Sequence, residues 1–375
     1  MWHSVSPWAP SGYGVQTQIW TRRLKELGHE VIISSFWGIQ GGATQWEGMM
    51  VLPGFGGAYC TPSLHQHAKA FKPDLVITLG DIWVMDANLL REIPAAHWLP
   101  SDSRPMSSAD RGVAEASGDD LIAMSKFGHQ RFLDAGFTNA LYVPHGIDTE
   151  VFKPLDNVKE LREACGLTED HFVIGINQAN NDAIRKALPE QMLAFARFAK
   201  NHDDAMLTLH TGVKQEGGQD LEAVAENLGI LDRIRVVDQY RYTSGMITQS
   251  DLNEWYNVLD VLSQAVYAEG FGLPVVEAQA TGTPVITTNA SAMEELNPYG
   301  ITVDGEPFWN GVHKAWWIRP SVREIADSYE LAYEKRKDVK PDLYRDFAGT
   351  YDFRKVSPEF MEPAVEELLR RMKDR

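Results

Sequence analysis

The chain has 375 residues, 44% hydrophobic and 23% charged, with 52 acidic against 35 basic side chains and a formal net charge of -17. That length exceeds what one hydrophobic core usually serves, so two domains are expected, and the composition excludes a disordered or fibrous chain. The acidity argues against a generic nucleic-acid or anionic-membrane partner, since both are held by clusters of Lys and Arg.

Cys60 and Cys165 are the only cysteines and lie far apart. A disulfide framework is not expected, and a reducing, cytoplasmic setting fits. The opening MWHSVSPWAPSGYG lacks the basic and apolar regions of a signal peptide, and no run reaches membrane-spanning length. The chain therefore reads as soluble and intracellular.

After the loop SPWAPSGYG, the segment VQTQIWTRRLKELGHE carries Val15, Ile19, Trp20, Leu24 and Leu27 at helical spacing, with Gly28 as a C-cap. Strand-like VIISSF follows, then DLVITLG, AAHWLP, DLIAMS and ALYVPHG, each a short apolar run closed by polar, Gly or Pro residues. This alternation predicts a parallel sheet covered by helices, with ligand-facing loops after the strands.

Near residues 146–160 the chain turns polar, and a fresh strand, FVIGIN, opens a second sheet. Further strands are expected at AMLTLHT, RIRVVDQ, VLDVLSQA and TPVITT, with helices near 188–200, 220–228 and 251–257. From about Ser357 the tail reads as a charged amphipathic helix. The expected domains are 1–150, 151–355 and a C-terminal helix, 356–375, packing back toward the first. The fold class is α/β, with two doubly wound, Rossmann-like domains facing across a cleft, a favoured place for a ligand.

The chemistry concentrates in VLDVLSQAVYAEGFGLPVVEAQATGTPVITT, which reads as strand, glycine-rich turn, helix, turn, strand. The helix is expected to start near Leu273 or Pro274, proline suiting the first turn. Glu269 then precedes the helix and Glu277 sits one turn inside it. With the N–H groups of Gly270, Phe271 and Gly272, the two acids suit a sugar joined to a nucleotide: carboxylates accept from hydroxyls, and N–H groups take phosphate oxygens. Arg185 and Lys186, at the turn between FVIGIN and the next helix, are placed to neutralise a diphosphate.

The paired acids, Gly-Phe-Gly, the following proline and TGTPVITTN resemble the E-x7-E motif of retaining glycosyltransferases with the GT-B fold, in particular family 4. SGYG, GHEV, AMSKFGHQRFLDAG and PHGIDTEVFKP add to the resemblance, which covers most of the chain. It implies that Glu269 contacts the transferred sugar and Glu277 the donor ribose. It also implies that the basic pair binds the diphosphate leaving group, and that the loop with Gly12 and Gly14 closes over the donor phosphate. That loop departs from the dinucleotide fingerprint, because Thr17 stands at the last glycine position. The implied reaction moves a sugar from a nucleoside diphosphate to an acceptor hydroxyl with retention, with no cofactor beyond the donor substrate.

Other candidates are donor-base contacts near His210–Gly212 and at Asp238 and Tyr240, with Leu273 beside the glycine turn. Asp102 is the candidate catalytic residue of the first domain, and Asp81, His97 and Trp98 are acceptor-side candidates. His145 falls at the domain junction. Cys60, His65 and His67 match no common zinc spacing, and no D-x-D triplet is present, so a metal-independent reaction is expected. Trp309, Trp316 and Trp317 lie in a segment, EPFWNGVHKAWWIRPS, that departs from the usual family ending. The acceptor reads as a glycan, a small molecule or a nucleic acid; residues 1–150 hold 10 Lys and Arg against 15 Asp and Glu, which does not recommend the last. Two other readings use the same residues: a sugar-nucleotide binding or regulatory protein without transfer, and an epimerase on the same fold.

Overall fold

The computed structural model describes residues 1–118 and 120–374. The chain divides into two compact units. The first holds Met1–Gly146, Asn310–Ala315 and the stretch from Phe353 onward; the second holds Ile147–Trp309 and Trp316–Asp352. The breaks differ by a few residues from the expected 150/151 and 355/356. At the start of the second unit, Ile147 N–H donates to the Tyr351 carbonyl (2.9 Å) and Thr149 N–H to the Asp352 carboxylate (3.2 Å), so the two connecting stretches are tied to each other.

The first unit is built on an eight-stranded sheet. Its strands are β1 (Trp2–Val5), β2 (Ile32–Trp37), β3 (Thr44–Trp46), β4 (Met49–Pro53), β5 (Val76–Leu79), β6 (Ala95–Leu99), β7 (Leu121–Ala123) and β8 (Leu141–Tyr142), in the order β3-β4-β2-β1-β5-β6-β7-β8. All neighbours are parallel except β3 and β4. Trp2–Val5 was absent from the expected strands, yet it is a central one: four residues with two hydroxyl or imidazole side chains give little apolar signal, and only burial on both faces reveals them. His3 and Ser4 are buried because each has a partner, His3 with Ser34 and the Tyr59 carbonyl, Ser4 with the Leu79 carbonyl.

The second unit carries β9 (Phe172–Asn177), β10 (Ala205–His210), β11 (Ile234–Val236), β12 (Val261–Gln264), β13 (Val285–Thr288) and β14 (Ile301–Val303), all parallel, in the order β11-β10-β9-β12-β13-β14. This is the doubly wound order of a Rossmann-type sheet. Its core joins Phe172, Ile174, Phe195, Phe198, Leu207 and Tyr329. A two-stranded piece, β15 (Gly305–Asn310) and β16 (Ala315–Pro320), was not foreseen. The charged tail is helical over Glu362–Lys373. Among the described residues, no helix is long and apolar enough to cross a membrane.

Candidate active site

The sheet of the second unit changes winding direction between β9 and β12, the neighbours from which β10 and β13 extend to opposite sides. Loops leaving two such strands separate and open a crevice beyond their carboxyl ends. Polar residues close both strands here. Gln178 donates to the Gln264 amide oxygen (2.6 Å), Gln191 to the Gln178 amide oxygen (3.2 Å) and to the Lys186 carbonyl (3.0 Å), and Ser263 to Gln191 (2.7 Å). A buried network whose members bond to one another fixes the two loop bases against each other.

Above this network the two loops deliver opposite charges. The Lys186 ammonium is ion-paired with the Glu269 carboxylate, and an Arg185 nitrogen lies 3.6 Å from its other oxygen. Lys186 is buried, and the Glu269 side chain keeps 22% exposure. Burial by itself raises the Glu269 carboxyl, but Lys186 first and Arg185 second, helped by the Gly270 N–H, bring it below the ordinary carboxylate value. Two cations thus converge on one carboxylate.

The helix Leu273–Ala280 starts where the sequence indicated, with Pro274 in its first turn. Gly272 caps it at φ +109°, a backbone angle that requires glycine, while a Cβ there would meet only the movable Met293 methyl at 2.2 Å. Phe271 is buried with its ring 5.6 Å from Tyr351, and Leu273 is buried as well, so these two can offer a ligand only main-chain groups. Glu277 is buried and accepts from the Tyr256 hydroxyl (2.8 Å); Tyr256 accepts from the Asn177 amide (2.7 Å), and the Asn177 oxygen meets His210 Nδ1 at 3.0 Å. Since the Asn177 NH2 is spent on Tyr256, its oxygen faces His210, and the imidazole carries its proton on Nδ1. Burial pushes the Glu277 carboxyl up to about 7, and the Tyr256 hydroxyl offsets only part of that.

Sequence reasoning missed Tyr256, Asn177, Gln178 and Gln264. The available signal was the amide-bearing ends of two otherwise apolar strands, FVIGINQ and VLSQ. Asp238, expected near the donor base, caps the helix Gln239–Thr243, its side chain accepting from Arg241 N–H at 2.8 Å. Tyr240 is 75% exposed on that helix.

In the first unit, Gly12 opens the helix Gly12–Glu26 and Gly14 lies in its first turn, where Ser11 Oγ accepts from the Gly14 N–H. A Cβ on Gly14 would fall 2.1 Å from the Ala9 carbonyl oxygen, so this glycine lets the preceding loop fold onto the helix. Asp81 accepts from the Tyr59 hydroxyl (3.0 Å), and both Asp81 and Asp102 are half-buried. Their charges, after burial itself, help to raise the buried Asp110 carboxyl to about 8. Asp110 went unnoticed in sequence because nothing in SSADRG marks it.

Two acceptor-side candidates are corrected. His97 is buried between Thr78 Oγ1 (2.9 Å) and Ser117 Oγ (3.1 Å), and Trp98 is buried with its indole N–H on the Val143 carbonyl (3.0 Å) and its ring against Trp2, Trp20 and His145. Both belong to the core, because strand β6 is covered on both faces. His65 pairs with Glu92 and His67 with Ser34, separately from Cys60. Among the described residues, no group of three or more His, Cys, Asp or Glu is arranged to hold a metal ion.

A doubly wound, mostly parallel sheet in the first unit and a fully parallel one in the second, with charged and glycine-rich loops at the winding switch of the second, fit the GT-B fold class. Sucrose-phosphate synthase from Thermosynechococcus elongatus has a similar structure over 98% of this chain and 98% of its own, with a TM-score of 0.77 and 15% identity. HepE of Anabaena, solved with UDP-glucose, matches over 97% of this chain and 99% of its own, with a TM-score of 0.70 and 16% identity. Residues 157–302 match the family model of glycosyl transferases group 1. By fold the chain stands with the GT-B glycosyltransferases, as the sequence resemblance implied, and segment 157–302 stands with the group 1 family.

Two curated relatives give the same direction. The lipopolysaccharide core biosynthesis mannosyltransferase LpsB of Rhizobium meliloti is 28% identical over 153 residues, 40% of this chain and 41% of LpsB. The D-inositol 3-phosphate glycosyltransferase of Kribbella flavida is 30% identical over 161 residues, 42% of this chain and 36% of the relative. The chain thus spans less than half the length of these relatives.

Proposed function

We propose that this chain is a retaining glycosyltransferase of family 4, moving a sugar from a nucleoside-diphosphate sugar to an acceptor hydroxyl without a metal ion. The observation that carries the reading is the convergence of Arg185, Lys186 and Glu269 at the winding switch of the second unit, beside the glycine turn that opens the Glu277 helix. A leaving diphosphate gathers negative charge as the glycosidic bond breaks, and preplaced cations stabilise it without reorganisation. On this reading the diphosphate binds Arg185 and Lys186, the transferred sugar contacts Glu269, and the ribose contacts Glu277.

In the proposed reaction the bond from the anomeric carbon to the diphosphate oxygen breaks, with its electron pair leaving on the diphosphate. The acceptor oxygen bonds to the same face through an oxocarbenium-like state, and its proton passes to the departing phosphate. Asp102 and Asp81 remain proposed contacts on the acceptor side, and Gly12 and Gly14 on the donor phosphate. The relatives support the donor class: HepE was solved with UDP and with UDP-glucose.

The test is thermal stability against UDP-, GDP-, ADP- and dTDP-sugars and the bare diphosphates, because a ligand bound only by the folded state raises its melting temperature. A shift with one base, absent in Lys186→Ala, followed by a product with the donor's anomeric configuration by NMR, is the expected result. No shift with any nucleotide overturns the reading. One observation favours a second reading, sugar-nucleotide binding without transfer: His97 and Trp98 are core residues, which thins the acceptor side. Binding without transfer to any acceptor and without donor hydrolysis identifies it.

A further inference from the structure

The tryptophan-rich segment 305–320 has no part in the site so far described. Its two strands are joined by four residues, 311–314, a connection that only an antiparallel hairpin makes. Side chains alternate along a strand, and the aromatic residues here sort by face. Trp309 and Trp316 are exposed, at 49% and 46%, with ring centroids 5.1 Å apart. Their chain neighbours Phe308 and Trp317 turn the other way, into a cluster with Ala187, Tyr267 and Ala268, in which Trp317 is 4% exposed.

Those three partners are the immediate neighbours of the site: Ala187 follows Lys186, and Ala268 precedes Glu269. The backbone connects them as well. Tyr267 N–H donates to the Arg185 carbonyl (2.9 Å), and the Tyr267 carbonyl accepts from Ile318 N–H (3.2 Å). The Tyr267 ring stands edge-on to Phe308 at 5.2 Å, and its hydroxyl donates to Glu190 (2.9 Å) on the helix that Ala187 caps. Ala187 itself has φ +49°, a left-handed angle that an alanine keeps only when surrounding contacts hold it.

We propose that the hairpin is a clamp on the catalytic loops, with Trp317 as the positioning residue that holds Lys186 and Arg185 against Glu269. Trp317 packs in the apolar cluster with Ala187, Tyr267 and Ala268, the chain neighbours of the ion cluster. It covers one side of the 187 and 267–268 positions, next to the ion pair. The clamp's use in catalysis rests on the proposed donor site, but its effect on the ion pair does not.

Two readouts test it. First, the Glu269 carboxyl is titrated by carbon-13 NMR, assigned with Glu269→Gln, in the wild type, Trp317→Ala and Trp317→Phe. The expected result is a rise of the Glu269 midpoint in Trp317→Ala as the cations loosen, with recovery in Trp317→Phe. An unchanged Glu269 titration overturns the clamp, whether or not any nucleotide binds. Where Trp317→Ala fails to fold, Phe308→Ala removes the partly buried half of the same cover and carries the same expectation.

Second, binding of the nucleoside diphosphate selected by the stability panel is compared with binding of its parent nucleoside. The clamp predicts that Trp317→Ala weakens the diphosphate about tenfold, the equivalent of about 1.4 kcal/mol, and leaves the nucleoside unchanged. Equal weakening of both overturns the positioning role in favour of a general packing one. Absence of diphosphate binding in the wild type, with the Glu269 titration behaving as expected, sinks the donor-site reading and leaves the clamp standing.

Discussion

Lys186 and Glu269 lie 83 residues apart in sequence and form an ion pair at the carboxyl end of the second sheet. Each comes from a different side of the winding switch, Lys186 after β9 and Glu269 after β12. Their contact therefore depends on the doubly wound order. Either charge alone in this half-enclosed place is costly.

Lys186→Ala is expected to lower transfer at least about 100-fold through loss of leaving-group stabilisation. It should also cost about 1–3 kcal/mol of stability, since Glu269 loses its closest cation while Arg185 and partial solvent access remain. A Lys186→Met, Glu269→Gln double variant should regain most of that stability and none of the activity. Urea unfolding and initial rates on the same preparations check both halves. Full activity in Lys186→Ala rejects the assigned role.

Glu277 gives a pH signature with a definite sign. Its folded carboxyl is raised to about 7 from an ordinary value of 4.5. Protonated Glu277 therefore favours the folded state fully below about pH 4.5, and this contribution is lost as pH rises through 7. That rise corresponds to about 3 kcal/mol. Glu277→Gln, which still accepts from Tyr256, should remove this loss. Comparing unfolding free energies at pH 5 and pH 8 should show the variant gaining on the wild type at the higher pH.

Two buried histidines of the first unit carry the opposite dependence. His3 and His97 are both lowered to about 4, by burial foremost, from 6.5. Each stays neutral in the folded state while the unfolded chain takes up a proton, so stability is complete above pH 6.5 and falls as pH drops toward 4. Each contributes about 3 kcal/mol over that window. His97→Gln, which keeps a donor and an acceptor between Thr78 and Ser117, should flatten the acid limb of the stability curve. An unaltered slope contradicts a neutral buried His97.

Two glycines test geometry apart from chemistry. Gly14→Ala places a Cβ 2.1 Å from a main-chain oxygen, so the 6–11 loop must shift. Gly272→Ala meets the flexible Met293 end at 2.2 Å but also carries φ +109°. Both should destabilise, by about 2 kcal/mol or more, through overpacking and backbone strain. Thermal melts decide. Gly14→Ala should also unsettle the loop in which Trp8 donates to the Gly38 carbonyl, read by Trp fluorescence.

Much of the fold was legible because parallel strands buried on both faces write continuous apolar runs, and FVIGIN, AMLTLH and PVITT lie where those runs place them. Trp2–Val5 was hidden because a polar residue with a dedicated partner can occupy a central strand. The hairpin was hidden because its exposed and buried aromatics sit side by side, and hydrophobicity does not separate Trp316 from Trp317.

At the site, sequence by itself determined the glycine turn, the helix start after it and the positions of Arg185, Lys186, Glu269 and Glu277, because local backbone requirements and charge are local properties. Tertiary structure alone decided that Lys186 meets Glu269, that Tyr256 and Asn177 stand behind Glu277, and that His97 and Trp98 are core. Those outcomes depend on which strands become neighbours. Burial and pairing between residues far apart in the chain follow from sheet order, and no short stretch of sequence encodes it.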